Sequence, residues 1–158
     1  MHHYLLMING VTVIVSEIMT TGVKTAKADT PVKEIANTMC FNKISGLPIV
    51  DDNDNIIGIV SEKDLLKRMF PNMEAVANEG RPNFEEMEKG YADTLSLVAN
   101  DIMTTSVATV SPDMPIMKAA SMMCVKNFRR IPVAEDGKVV GIVSIGDVHK
   151  AIFQSIFA

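Results

Sequence analysis

The chain repeats itself, and this limits what it can fold into more than any other feature. Ile18-Met19-Thr20-Thr21 recurs as Ile102-Met103-Thr104-Thr105, an offset of 84 residues. The same offset carries Val23 onto Val107, Thr25 onto Thr109, Asp29 onto Asp113 and Pro31 onto Pro115. Ala36, Met39, Cys40 and Pro48 fall on Ala120, Met123, Cys124 and Pro132. One residue is then lost, and an offset of 83 places Gly58-Ile59-Val60-Ser61 on Gly141-Ile142-Val143-Ser144 and Asp64 on Asp147. A turn is where a duplicated unit tolerates such a change in length. The chain is therefore a tandem duplication, to be read as two copies of one structural unit.

Each copy has the same pattern of signals. A short extended piece around Thr25 or Thr109 leads into Asp-x-Pro, a helix start with proline in the first turn. Val32, Ile35, Ala36, Met39 and Cys40, and in the second copy Ile116, Ala119, Ala120, Met123 and Cys124, make an apolar helical stripe. Strands are expected at 46–50 and 56–60 in the first copy, and at 130–134 and 138–143 in the second. The turns between them are 51–55 and Glu135-Asp136-Gly137. A second helix starts at Ser61 or Ser144, so each copy reads β-α-β-β-α. A unit of this size buries too little surface to be stable alone. The expected fold is α/β (α+β), two such motifs packed about a pseudo-twofold axis with a helical insertion between them, which creates two related clefts. The divisions are an N-terminal strand segment 1–15, motif one 16–70, an acidic helical linker 71–99 and motif two 100–158. The linker carries Glu74, Glu79, Glu85, Glu86 and Glu88, with Phe84, Met87, Tyr91 and Leu95 at helical spacing, and reads as a helix covering one edge.

Composition removes several function classes. A net charge of −4 argues against a nucleic-acid binder. No apolar run approaches the roughly 20 residues of a membrane span, and the N-terminal segment lacks the basic leader of a signal peptide. Cys40 and Cys124 read as buried, reduced thiols, which fits a cytoplasmic protein. His2, His3 and His149 assemble neither a metal site nor a catalytic centre, and no nucleophile stands beside a base, so the chain is not expected to be an enzyme or to require a cofactor.

The sharpest local motif is Gly-h-h-Ser-x-x-Asp, with h apolar, at 58–64 and 141–147. Ser-x-x-Asp at a strand-to-helix junction is close to a capping box, which satisfies the amides of the first turn. The same geometry suits a ligand. Free N–H groups at a helix start attract phosphate, and an ionised Asp, having only acceptors, can take two hydrogen bonds from a ribose diol.

Two units of this layout, each opening with Ile-Met-Thr and closing with Gly-h-h-Ser-x-x-Asp, resemble a pair of cystathionine-β-synthase (CBS) domains, the Bateman module. The runs Leu47-Pro48-Ile49-Val50 and Ile131-Pro132-Val133 match its strand pattern. The resemblance implies a regulatory module that binds AMP, ADP, ATP, S-adenosylmethionine or a related adenosyl ligand between the motifs and signals to a partner. It also implies clefts that join the Ser and Asp of one motif to the opening segment and first strand of the other. One cleft would hold Ser61 and Asp64 with Met103, Val107, Phe128, Arg129 and Arg130. The other would hold Ser144 and Asp147 with Met19, Val23, Ile44, Ser45 and Gly46. The apolar members would grip adenine and the aspartates the ribose. Because arginines bond phosphate bidentately, and because Lys63 stands where the second copy has Gly146, the Asp64 cleft is expected to prefer the more phosphorylated ligand. Such modules commonly pair, so a homodimer is expected, with residues 11–15 and Ile152, Phe153, Ile156 and Phe157 as self-contacts. The alternative is a structural dimerisation pair with empty clefts.

Overall fold

The computed structural model describes residues 7–8, 11–70, 78, 80–81 and 83–157. His2, His3, Pro71, Glu74 and Glu79 lie outside the described residues. Two strands, β1 (Met7–Ile8) and β2 (Val11–Thr12), pair antiparallel and lead into a single turn of helix, α1 (Val15–Ile18). The apolar stripe of the first copy forms α2 (Val32–Asn42), which buries Val32, Ile35, Ala36 and Met39. Strands β3 (Gly46–Val50) and β4 (Ile56–Ser61) form an antiparallel hairpin. Helix α3 (Glu62–Leu66) follows and tightens into a 3-10 turn, Lys67–Met69. The insertion supplies α4 (Phe84–Leu95), and α5 (Ala99–Ile102) opens the second copy. That copy continues with α6 (Ile116–Lys126), the antiparallel pair β5 (Arg130–Glu135) and β6 (Lys138–Ser144), and α7 (Ile145–Phe157).

The chain divides into two units, and neither is a contiguous copy. One is Lys24–Val107; the other joins Met1–Val23 to Ala108–Ala158. The opening segments are thus exchanged. Thr104 bridges Ile59 of β4, with both backbone bonds at 2.9 Å, and Thr20 bridges Ile142 of β6 in the same way at 2.8 and 2.9 Å. On the far side of each hairpin a parallel bridge adds Ala26 to Ile49, or Val110 to Val133. Each unit therefore holds a four-layered strip of extended chain: an opening segment, β4 or β6, β3 or β5, and the lead-in to the long helix. Further bonds tie the exchanged segments down. Val32 N donates to Leu97 O and Ala99 N to Thr30 O in one unit, and in the other Val15 N donates to Met114 O and Ile116 N to Val13 O.

The two cores repeat the same plan. Val32, Ile35, Met39, Leu47, Ile49, Val60, Leu65 and Ala99 form one. Val15, Val110, Ile116, Ala119, Met123, Ile131, Val133, Val143 and Val148 form the other, with Val13 at its rim. Burial of Val13 and Val15 corrects their reading as self-contact residues, because the N-terminal segment is an edge of this unit. Phe153, Ile156 and Phe157 on α7 are exposed. Cys40 and Cys124 are also exposed, against the expectation of burial. The eighth position after the first apolar residue of the stripe has turned off the core face, since eight steps of a 3.6-residue helix overshoot two turns. The prolines likewise stand at the N-cap and not inside the first turn: Pro31 and Pro115 both have φ −58° and ψ 136°.

Turn chemistry agrees with the backbone at most points. Asp136 and Gly137 both have positive φ, as the two-residue hairpin between Glu135 and Lys138 requires. In the first hairpin Asp51 accepts from the Asn55 side chain and from the Asn53 and Asn55 amides, and the Asn55 bonds chiefly hold its carboxyl below the ordinary range. Lys43 is the exception. It ends α2 at φ 54°, where the second copy uses Asn127 at φ 57°. Lysine has no local reason to adopt this left-handed conformation and glycine does so freely. Lys43→Gly should therefore stabilise the protein by about 0.5–1 kcal/mol, read as a thermal midpoint higher by roughly 1–4 °C.

The insertion is bound to one unit. Tyr91 and Leu95 of α4 pack on the core of Lys24–Val107. Thr94 is fully buried, with its hydroxyl donating to Gly90 O at 2.8 Å. Helix α4 crosses the 3-10 turn so closely that a Cβ on Gly90 would stand 2.6 Å from the carbonyl oxygen of Arg68. Phe84 is exposed, so the first turn of α4 overhangs the core it was expected to cover.

Candidate functional site

In both units the last strand of the hairpin delivers Ser-x-x-Asp to a helix start. Ser61 N donates to Asp64 Oδ2 at 2.8 Å, the Ser61 hydroxyl donates to the same oxygen at 3.0 Å, and Asp64 N donates back to Ser61 Oγ at 3.4 Å. Ser144 N donates to Asp147 Oδ2 at 2.8 Å and Asp147 N to Ser144 Oγ at 3.0 Å. The capping reading is thus realised in both copies. It occupies one carboxylate oxygen. The other, Oδ1, accepts no hydrogen bond from the described residues in either aspartate, so a diol acceptor remains at each helix start.

The glycine of the same motif has a separate job. A Cβ on Gly58 would stand 2.6 Å from Met103 Sδ and 3.1 Å from Thr104 O; on Gly141 it would stand 2.6 Å from Met19 Sδ and 3.0 Å from Thr20 O. Only glycine lets the methionine of the exchanged segment lie across the strand. Ile-Met-Thr and Gly-h-h-Ser-x-x-Asp are therefore two halves of one contact, and Met103 comes to the Ser61–Asp64 helix, Met19 to the Ser144–Asp147 strand and helix.

Within each unit the start of the first strand lies beside the end of the second. Gly46 pairs with Ser61, and Glu62 N donates to Ser45 O at 3.0 Å. Arg130 pairs with Ser144, and Ile145 N donates to Arg129 O at 2.9 Å. Antiparallel register brings the start of each hairpin to its own end, so Ser45 and Gly46 join Ser61 and Asp64, and Arg129 and Arg130 join Ser144 and Asp147. Phe128 precedes the arginines in the second unit and is half exposed, and Ile44 is partly buried against the core of the first. Val107 and Val23 end the exchanged segments of their respective units. Lys63 is exposed on α3.

One cleft beside these residues was missed by sequence reasoning. A cavity of about 710 Å³ lies wholly within Lys24–Val107, where Asp64, Met103 and Thr104 meet Lys67 and Arg68 of the 3-10 turn and Asp93 of α4. That size accommodates a nucleoside with a tail. No periodicity marks these positions, since the walls come from three separate segments.

A strip of β-hairpin closed by an exchanged Ile-Met-Thr segment, built twice, defines a tandem two-unit architecture. The chain belongs to the CBS domain family, whose profile matches residues 15–71 and 98–154. It is 31% identical to the chloroplastic CBS domain-containing protein CBSX2 of Arabidopsis thaliana over 81% of this chain, and spans 58% of that protein's length. An uncharacterized protein of Methanocaldococcus jannaschii is 30% identical, with 92% of this chain and 94% of that protein covered. The fold matches the crystal structure of the CBS-pair protein CBSX2 with a TM-score of 0.75 over 92% of this chain and 97% of that one, at 30% identity. CBSX2 has also been crystallised with AMP (TM-score 0.69, 31% identity, 89% and 96% covered). The CBS domain pair of protein MJ0100, crystallised with 5′-methylthioadenosine and S-adenosyl-L-methionine, matches at 25% identity and TM-score 0.67 over 90% and 97% of the two chains. Among the described residues no helix is long and apolar enough to cross a membrane.

Proposed function

We propose that this chain is a regulatory module that binds adenine-containing ligands through its two Ser-x-x-Asp helix starts and passes the bound state to a partner. The observation that carries the reading is the carboxylate oxygen of Asp64 and of Asp147 that no described residue bonds, each at a helix start with a methionine of an exchanged segment close by. A purely structural capping box has no need of an adjacent apolar clamp. The AMP complex of CBSX2 and the adenosyl complexes of MJ0100 support the ligand class. One set is Ser61, Asp64, Met103 and Val107 with Ser45 and Gly46; the other is Ser144, Asp147, Met19 and Val23 with Arg129 and Arg130. The arginines belong with Asp147, so the preference for phosphate is assigned to that set, in place of the Asp64 set favoured on sequence alone.

A thermal-shift screen with adenosine, AMP, ADP, ATP and S-adenosylmethionine tests the reading. A ligand at 100 times its dissociation constant adds about 2.7 kcal/mol, a midpoint rise of roughly 5–10 °C for a chain of this size. No response to any adenylate would leave the alternative, a dimerisation module with empty clefts. Pairing itself is expected through exposed Phe153, Ile156 and Phe157 of α7. Sedimentation should give a dimer that Phe157→Glu with Phe153→Glu returns to monomer.

A further inference from the structure

We infer that the insertion makes the Asp64 set selective for an adenosyl ligand whose tail carries both an ammonium and a carboxylate, and hostile to a polyphosphate. The inference rests on the proposed adenosyl-binding function and names the ligand of one of its two sets. The cleft beside Asp64 is walled by charges of both signs: Lys67 and Arg68 on the 3-10 turn, Asp93 on α4 and Asp101 on α5. These four side chains are exposed and make no ion pair with one another. The one ion pair among the described residues is Lys27 with Asp52. Asp101 spends one oxygen on Val98 N at 3.0 Å, and the Asp93, Lys67 and Arg68 side chains make no hydrogen bond to described residues.

With Asp64 the wall holds three carboxylates against two cations. A triphosphate would bring three or four negative charges to a wall that is already net negative, which is repulsive at close range. An aminoacyl tail is neutral overall and offers one charge to each side, its ammonium to Asp93 and Asp101 and its carboxylate to Lys67 and Arg68, which Arg68 can take bidentately. In the second copy the positions of Lys67 and Arg68 are Lys150 and Ala151, and the arginines at the strand start suit phosphate instead. The two sets would then distinguish the same nucleoside by its tail.

Calorimetric titration of the full chain with S-adenosylhomocysteine, 5′-methylthioadenosine and ATP tests this, because the first two differ in the aminoacyl end. S-adenosylhomocysteine should bind about tenfold tighter than 5′-methylthioadenosine, and Asp64→Asn should abolish that binding. Arg68→Gln with Asp93→Asn, both exposed side chains with no side-chain partner among the described residues, should erase the tenfold margin while leaving 5′-methylthioadenosine affinity and the melting curve unchanged. If the margin survives the double substitution, or ATP displaces S-adenosylhomocysteine from the Asp64 set, the inference is overturned and the adenosyl-binding function stands. If none of the three ligands binds, both fall.

Discussion

Gly58→Val is expected to destabilise the protein by about 3 kcal/mol, the upper end of what overpacking a filled site costs. For a chain of this size that is a midpoint lower by roughly 6–12 °C. Even a Cβ at Gly58 would stand 2.6 Å from Met103 Sδ, 3.0 Å from its Cγ and 3.1 Å from Thr104 O. The sulfur can swing aside, but Thr104 O is backbone, fixed by its 2.9 Å bond from Ile59 N. A β-branched side chain therefore forces either that bond or the strand to move. A double-mutant cycle separates the two neighbours. If the methionine is the obstacle, Met103→Ala should recover part of the loss in Gly58→Ala, with a coupling of 0.5 kcal/mol or more in magnitude by about the usual scale for touching residues. The backbone contact predicts incomplete recovery. Gly141 with Met19 and Thr20 O repeats the geometry and should give the same result in the other unit. Gly22, which has open space around it, is the control for contact, although its φ of 67° disfavours a side chain on conformational grounds.

That contact also marks where sequence reasoning stopped. The helices over Val32–Asn42 and Ile116–Lys126 and both hairpins follow from local signals: an apolar stripe of period 3.6, a proline at the start, an Asp/Asn-rich turn at 51–55 and an Asp-Gly turn at 136–137. These depend on neighbours a few residues away, which a linear pattern records. The exchange of opening segments joins residue 59 to residue 104 and residue 20 to residue 142 through single bridges. One bridge has no periodicity, so the duplication alone left open which segment closes which strip. The proposed grouping of Arg129 and Arg130 with Asp147 rests on strand register. The family resemblance supplied a crossing of motifs, and it was applied to the first strand as well as to the opening segment. Antiparallel register brings the first residue of a hairpin to its last, so Arg130 faces Ser144 within its own unit. The charged wall around Lys67, Arg68 and Asp93 was hidden because the insertion breaks the symmetry that made everything else legible.

Asp147→Asn should weaken adenine-nucleotide binding at its set by about 100-fold or more, since two hydrogen bonds from a diol to an ionised carboxylate are worth roughly 1.5–3 kcal/mol each. Asparagine is the informative substitution. Its carbonyl oxygen can still accept from Ser144 N, which spans 2.8 Å to the present carboxylate, so the helix start keeps its cap. Its amide then presents two donors where the diol needs acceptors. Stability should change little and affinity greatly, whereas a structural capping role alone would leave both nearly unchanged. Arg129→Gln with Arg130→Gln separates phosphate from nucleoside. On the assignment made here ATP should lose about tenfold or more, one charge-assisted bond's worth, while adenosine binding is unchanged. Measured by calorimetry, equal losses for ATP and adenosine would mean that the arginines hold the unit together and do not meet phosphate. Retention of ATP affinity in Asp147→Asn, with its loss in Asp64→Asn, would return the phosphate to the other set and undo the register argument as a guide to function.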